Sequence, residues 1–132
     1  MRHENGKWEI KLVIKRTIRC CNWSSQRNGT GLLESVYEEC LVEELKLRNL
    51  VASDQVELPL FYKGKILKKK FRIDLLIENE IIVELKTVDQ ILPLHEAQII
   101  SYLKLTDKKL GFLINFNVPL LKQGFKRFVN KF

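Results

Sequence analysis

Two short apolar runs on either side of a polar break dominate the pattern of this chain. Phe71-Arg72-Ile73-Asp74-Leu75-Leu76-Ile77 and Ile81-Ile82-Val83-Glu84-Leu85-Lys86 are rich in β-branched residues, and Glu78-Asn79-Glu80 separates them. The arrangement predicts a β-hairpin. With Ile77 opposite Ile81, paired residue numbers add to a constant and Asp74 falls directly opposite Glu84. Alternation then sets Phe71, Ile73, Leu75 and Ile77 on one face with Ile81, Val83 and Leu85, an apolar face that belongs to the core. The other face carries Arg72, Asp74 and Leu76 against Ile82, Glu84 and Lys86, a half-apolar wall with one charged patch. A slip of one residue would oppose Asp74 to Leu85 and send Glu84 to the other face, so the chemistry depends on this register.

The remaining elements follow from the same kind of spacing. Trp8, Ile10, Val13, Ile14, Ile18 and Cys21 fit an amphipathic helix over residues 8–21, followed by a polar loop from Asn22 to Gly31. Leu33, Val36, Tyr37, Cys40, Leu41 and Leu45 form the clearest helical stripe, from Leu32 to about Arg48. Thr30 offers it a cap and Glu34 sits in its first turn. Val56, Leu58, Leu60 and Tyr62 predict a strand that turns at Lys63-Gly64 into the strand leading to Asp74. The Glu84 strand ends near Val88. A helix starting around Pro93 carries Leu94, Ala97, Ile100, Leu103 and Leu105. Leu110, Phe112, Ile114 and Phe116 alternate as a last core strand. From Pro119 on, Leu120, Leu121, Phe125, Phe128 and Val129 have enough apolar surface to pack but fit no single period. Helix, helix, three strands in a meander, helix and strand predict an α/β fold with one mixed sheet and helices beside it.

Composition narrows the class. The 132 residues, 45% hydrophobic and 30% charged, suit one compact domain over 1–132 rather than two, and not a disordered chain. No run reaches the length of a membrane span and the amino terminus lacks a signal-peptide core, which sets the expectation of a cytoplasmic protein. Cys20, Cys21 and Cys40 are an odd count without metal-site spacing; reduced thiols are expected, and a four-cysteine cluster is excluded. The net charge of +7 is concentrated at Lys63, Lys65, Lys68, Lys69, Lys70 and Arg72, and again at Lys122, Lys126, Arg127 and Lys131. Such a surface attracts a polyanion, although a lysine run is also an ordinary solvated face.

The pair Asp74 and Glu84 carries the chemical expectation. Side chains directly opposite on one face sit about 5 Å apart at Cβ, where like charges weaken the pairing. A divalent cation held between them removes the penalty. Lys86, two residues past Glu84, shares their face. An Asp followed by Glu-x-Lys on the adjacent strand is the arrangement of metal-dependent phosphodiesterases of the nuclease type. The plainer alternative is an edge hairpin with a solvated Glu-Lys face.

Several ordered segments together resemble a known family. Gly31-Leu32-Leu33-Glu34-Ser35-Val36-Tyr37 fits the signature of the GxxExxY proteins, small members of the PD-(D/E)XK nuclease superfamily. The resemblance runs from about Gly29 to Val129 and takes in Tyr62-Lys63-Gly64, the Asp74 and Glu84-Leu85-Lys86 hairpin, His95-Glu96-Ala97-Gln98 and Leu113-Ile114-Asn115-Phe116. It implies a restriction-endonuclease-like core, one mixed sheet with a β-meander flanked by helices. It also implies that Asp74 and Glu84 bind Mg²⁺ or Mn²⁺ with the Leu85 carbonyl, and that Lys86 orients or deprotonates the attacking water and steadies the developing charge. Glu34 would reach the metal from outside the hairpin, or be a solvated first-turn glutamate. Gln98 and Tyr102, four apart on one helix face, match a Gln-x-x-x-Tyr element that positions substrate, or form a helix flank with a half-buried tyrosine. His95 would touch a phosphate or simply be exposed, and Tyr37 would pack in the core.

The chain departs from the family at its start. Ser24-Ser25 and Asn28-Gly29 stand where relatives carry a Val-His pair and a Leu-Gly, so residues 1–28 form a divergent segment. The leading expectation is a metal-dependent nuclease acting on DNA rather than RNA. A catalytically inactive nucleic-acid-binding or regulatory module on the same fold is the alternative, with a protein-interaction or defence component as a third reading.

Overall fold

The structure, a computed structural model, describes residues 34–117 and 124–130 together with Leu12 and Arg16. Helix α1 spans Glu34–Leu47, strands β1 Ala52–Tyr62, β2 Lys65–Ile77 and β3 Ile81–Lys86, helix α2 Pro93–Thr106, and strands β4 Leu110–Asn115 and β5 Phe125–Val129. The five strands form one sheet in the order β1-β2-β3-β4-β5. All neighbours are antiparallel except β3 and β4, which α2 joins in parallel. The expected α/β fold with one mixed sheet and a meander is therefore observed, and β5 resolves the ambiguous tail as an antiparallel edge strand. Of the helix expected over residues 8–21, only Leu12 and Arg16 are described, and both are helical. The loop to Gly31, the Thr30 cap, Leu32, Leu33, Cys20, Cys21, the divergent segment 1–28 apart from Leu12 and Arg16, Pro119 to Leu121, Lys122 and Lys131 lie outside the described residues.

Local chemistry explains the boundaries. In α1, Tyr37, Leu41 and Leu45 repeat every fourth residue and are the buried stripe. Asn49, at φ 60°, takes the left-handed position past its end, and the Leu50 N–H turns back to the Leu45 carbonyl at 2.9 Å. Lys63 at φ 48° and Gly64 at φ 80° are the two centres of the β1–β2 turn, the backbone combination that matches strand twist in two-residue hairpins. Glu78 and Asn79, at φ 52° and 55°, close β2 onto β3 with the Glu80 N–H on the Ile77 carbonyl.

The sheet is covered on both faces. Tyr37, Leu41 and Leu45 of α1 pack on Leu75, Ile77, Ile81, Val83, Leu85, Phe112 and Ile114. Ile99, Tyr102 and Leu103 of α2 pack on Ile73, Ile82 and Leu113. Consequently β4 is buried along its whole length, as a parallel strand with helices on both sides must be. Gly111 lets α2 come close: a Cβ there would stand 3.0 Å from Ile99 Cδ1.

Two expectations about faces are corrected. Ile73 and Phe71 pack with the α2 cluster and not with Leu75 and Ile77 on the α1 side. The partner strand switches in step, with Ala52 against the α1 cluster but Val56 and Leu58 against the α2 cluster. Gln55, at φ 49° between them, breaks the alternation, and the β2–β3 ladder also stops at Leu75 opposite Val83, so β3 no longer holds this part of β2 in its plane. The second correction concerns α2, whose buried residues are Ile99, Tyr102 and Leu103, whereas Leu94 is 74% exposed and Ala97, Ile100 and Leu105 face outward. Of the expected stripe only Leu103 is inside, because the helix meets the sheet one residue round from the face that its aliphatic side chains mark.

Candidate active site

Where β2 and β3 part, two carboxylates fill the gap. The ladder runs Ile77 to Ile81, Leu76 to Ile82 and Leu75 to Val83, the register expected from the sequence, and its continuation sets Asp74 opposite Glu84. At that step side chains replace the backbone ladder. The Leu85 N–H donates to Asp74 Oδ2 at 2.8 Å, and the Asp74 N–H approaches Glu84 Oε1 at 3.4 Å. Each acid thus accepts an N–H from the opposite strand, which satisfies donors that would otherwise be buried without partners.

Glu84 is only 2% exposed, a carboxylic acid inside the core. The half-apolar wall is roofed by α2, since Ile82 and Leu76 on the same side join the Ile99 and Tyr102 cluster, and the alternative of a solvated Glu-Lys face does not hold for Glu84. Burial above all, then a hydrogen bond with the Asp74 side chain and the Asp74 charge, pushes the Glu84 carboxyl up from 4.5 to about 10, against the opposing pull of Lys86 and the Asp74 backbone. Burial thus favours the neutral form of the Glu84 carboxyl, hydrogen-bonded to the Asp74 side chain.

Helix α1 brings further acids to this gap. Burial, followed by the charge of Asp74, raises the Glu34 carboxyl, while Lys86 and the Thr87 N–H lower it. Glu38, one turn on, is raised by burial and by Asp74 and Asp54, and it accepts both of its hydrogen bonds from Gln55 Nε2 at 3.0 Å. Glu38 was not among the residues expected at the site, yet its spacing of four from Glu34 puts both on one helix face and could have revealed it. Asn115 was also missed. It is buried, accepts the Val88 N–H at 3.1 Å and donates to the Val88 carbonyl at 2.7 Å, which fastens the loop after Lys86 to β4.

From the α2 side, the Tyr102 hydroxyl receives a hydrogen bond from Gln98 Nε2 at 3.0 Å, as their spacing on one face implies. Burial and the charge of Glu84 raise its pKa, with Gln98 and the Arg72 backbone acting against them. The Tyr102 ring meets Phe71, with centroids 5.4 Å apart. His95 Nδ1 accepts the Leu92 N–H at 2.9 Å, so in the neutral ring the proton sits on Nε2, the nitrogen free to meet a ligand. Lys86, Phe71, Leu94, His95, Ala97, Gln98, Ser101 and Tyr102 line one cleft of about 460 Å³. Asp74 and Glu84 do not form its walls; Lys86 and Tyr102 belong both to the cleft and to the surroundings of Glu84. Tyr37, by contrast, stacks on Phe116 with centroids 4.2 Å apart and planes 9° from parallel, a core contact as expected.

The donor set suits a small divalent cation. A cation between the two carboxyl groups would relieve the conflict that burial imposes on Glu84, and hard oxygen donors suit a hard divalent ion. Because the Leu85 N–H faces Asp74, strand geometry turns the Leu85 carbonyl to the same side. Among the described residues no three or more His, Cys, Asp or Glu side chains come together where they could hold a metal ion. The protein share would be the two acids and one carbonyl, which fits an ion that keeps several waters.

Comparison with known proteins agrees with this architecture. No curated protein matches the chain. The solved structure titled "Crystal structure of SSO0001" superposes with a TM-score of 0.55 at 18% identity, covering 92% of this chain and 77% of the other, a likeness of fold. A sequence model of the PD-(D/E)XK nuclease superfamily matches residues 11–128, from before α1 into β5 and across the parted strands with their two acids. The sheet, the helices on its faces and this match over most of the length lead to one assignment: the chain belongs to the PD-(D/E)XK nuclease superfamily.

Proposed function

We propose that this protein is a Mg²⁺- or Mn²⁺-dependent nuclease that hydrolyses phosphodiester bonds in DNA. The observation that carries the reading is the buried Glu84 forced against Asp74 with Lys86 beside it, an electrostatic conflict that a cation resolves. Asp74, Glu84 and the Leu85 carbonyl are the assigned metal ligands. A cation held there supplies acidity to a water and draws charge from the scissile phosphate. Lys86, which also lines the cleft, orients that water or takes its proton and neutralises charge that develops on the phosphate. Glu34 approaches from α1 and holds water on the outer side of the acids. Gln98 and Tyr102 are tied to each other and fix the cleft wall against which the substrate rests. The placement of Glu34 at the gap and of Tyr37 in the core supports assignment to the GxxExxY branch. Among the described residues no helix is long and apolar enough to cross a membrane, which accords with the proposed cytoplasmic location.

One observation favours a second reading. Asp74 and Glu84 are already supplied with backbone N–H donors, so the pair is internally satisfied as an inactive nucleic-acid-binding module would need. Metal binding separates the two. Under the nuclease reading, Mn²⁺ raises the melting temperature of the protein and supports cleavage of DNA, and both responses vanish in Glu84→Gln. Cleavage that persists in Asp74→Ala and Lys86→Ala would refute the assigned residues; tight DNA binding without any response to Mn²⁺ would favour the inactive module.

A further inference from the structure

The β1–β2 hairpin is longer than the sheet it belongs to. Only Leu75 to Ile77 of β2 pair with β3, and Phe71 and Ile73 pack under α2, yet the two strands continue as a pair to the turn at Lys63-Gly64. Every residue from Phe61 to Lys70 is exposed. Residues Pro59 to Tyr62, at about 3.3 Å each, carry this free end roughly 13 Å past the covered part. The register shifts between Pro59 and Phe61, where the ladder passes from Lys70 to Ile66. Leu67, Lys68 and Lys69 there stand against Leu60 alone, a bulge that bends and twists the ribbon.

Charge on this free end is of one sign. From Leu58 to Ile73 the chain has five lysines and one arginine and no acidic residue. Lys70 is bound to Glu57 at 3.1 Å, and Lys63 Nζ stands 5.6 Å from the centre of the Tyr62 ring. Lys65, Lys68 and Lys69 have no acidic partner among the described residues. Of the other basic cluster, Lys126 is bound to Glu96 at 2.8 Å. Beside the free lysines stand two open side chains, Phe61 at 63% exposure and its cross-strand neighbour Ile66 at 65%. Such density of like charge disfavours pairing with a second copy of the same ribbon. It complements a polyanion, and an exposed ring offers a surface for an unpaired base.

We propose that residues 59–70 form an arm that grips the nucleic acid entering the cleft, with Lys65, Lys68 and Lys69 on its phosphates and Phe61 stacked on an unpaired base. The inference deepens the nuclease reading and rests on it for what the cleft holds. Continuity of the chain supports it: Phe71 lines the cleft, and Lys70 is its neighbour in sequence. Lys70 stands four residues from Asp74, roughly 13 Å along the strand, and Lys65 roughly 30 Å, so the arm meets the substrate several nucleotides from the reacting phosphate.

The test measures binding of a fluorescent oligonucleotide without metal, alongside Mn²⁺-dependent hydrolysis of bis(p-nitrophenyl) phosphate, which is too small to reach the arm. In Lys65→Ala/Lys68→Ala/Lys69→Ala, affinity falls about 10- to 100-fold, and the slope of log affinity against log salt becomes shallower by about 2, at about 0.7 per lost contact on a single strand. Phe61→Ala weakens binding of an oligonucleotide with an unpaired end about tenfold and leaves blunt duplex unchanged. Hydrolysis of the small diester and the melting temperature stay at the parent values in both variants. Affinity and salt slope equal to the parent in the triple variant overturn the arm, even if the nuclease reading holds. Arm-dependent binding with no diester hydrolysis leaves the arm standing and removes the nuclease. Anionic lipid vesicles bound more tightly than the oligonucleotide, with that binding lost in the triple variant, would make the arm a membrane contact and overturn the proposal.

Discussion

One strand carries charge in two opposite ways. At its far end β2 presents Lys65, Lys68, Lys69 and Lys70 to water, where each charge costs almost nothing and is screened by salt within about 10 Å. At its near end Asp74 shares a gap with the buried Glu84, where a charge is expensive and is little screened from its neighbours. The transition takes a few residues, between the exposed ribbon and the part under α2. Burial, not residue type, decides which charges steer a ligand and which can bind a cation or move a proton.

Removing the charges at the gap should produce the largest effect. Asp74→Ala or Lys86→Ala lowers Mn²⁺-dependent DNA cleavage by 10³-fold or more, about 4 kcal/mol of transition-state stabilisation, as read from single-turnover rates. The exposed lysines come next, with the 10- to 100-fold loss of oligonucleotide binding given above and no change for a small diester. A reversed order, in which the arm variants abolish chemistry and the gap variants only weaken binding, would break the contrast between the two ends.

Stability against pH sharpens it further. The folded Glu84 pKa, about 10, lies above the ordinary 4.5, so the folded state binds an additional proton between those values. The contribution of this group is complete below pH 4.5 and is lost as pH rises through 10. Glu84→Gln should therefore stabilise the metal-free protein at pH 8 by roughly 1–3 kcal/mol and flatten the pH profile in urea unfolding. Mn²⁺ takes the place of the proton, so its thermal shift is larger at pH 8 than at pH 6 in the parent and absent in Glu84→Gln. A parent profile that stays level from pH 5 to 9 would contradict the buried pair. The smallest effect is expected beneath α2: Gly111→Ala sets a Cβ against the flexible tips of Ile99 and Leu103 and costs about 1 kcal/mol in the same measurement.

Much of this was legible along the chain, for identifiable reasons. The register of β2 on β3 followed from Ile77 and Ile81 around a three-residue break, because a tight turn and a period of two leave little freedom. The α1 stripe and its end near Arg48 were legible as well, since helical spacing is local. The face of α2 was misread because Leu94 and Ile100 mark an apolar stripe that the sheet does not meet. Glu38 was missed because one acid in a helix of several stands out only once Asp74 is known to lie opposite it.

By itself the sequence determined what can pair over a few residues: turns, caps, periodicity and the opposition of Asp74 to Glu84. The switch of faces at Asp74 and Gln55, the roof that α2 places over Glu84 and the emergence of the basic ribbon beyond the covered sheet were decided by tertiary structure. The physical reason is that spacing is a property of neighbours in the chain, whereas desolvation depends on segments that arrive from elsewhere. A carboxyl group such as that of Glu84 is pushed toward its neutral form only when distant side chains exclude water from around it.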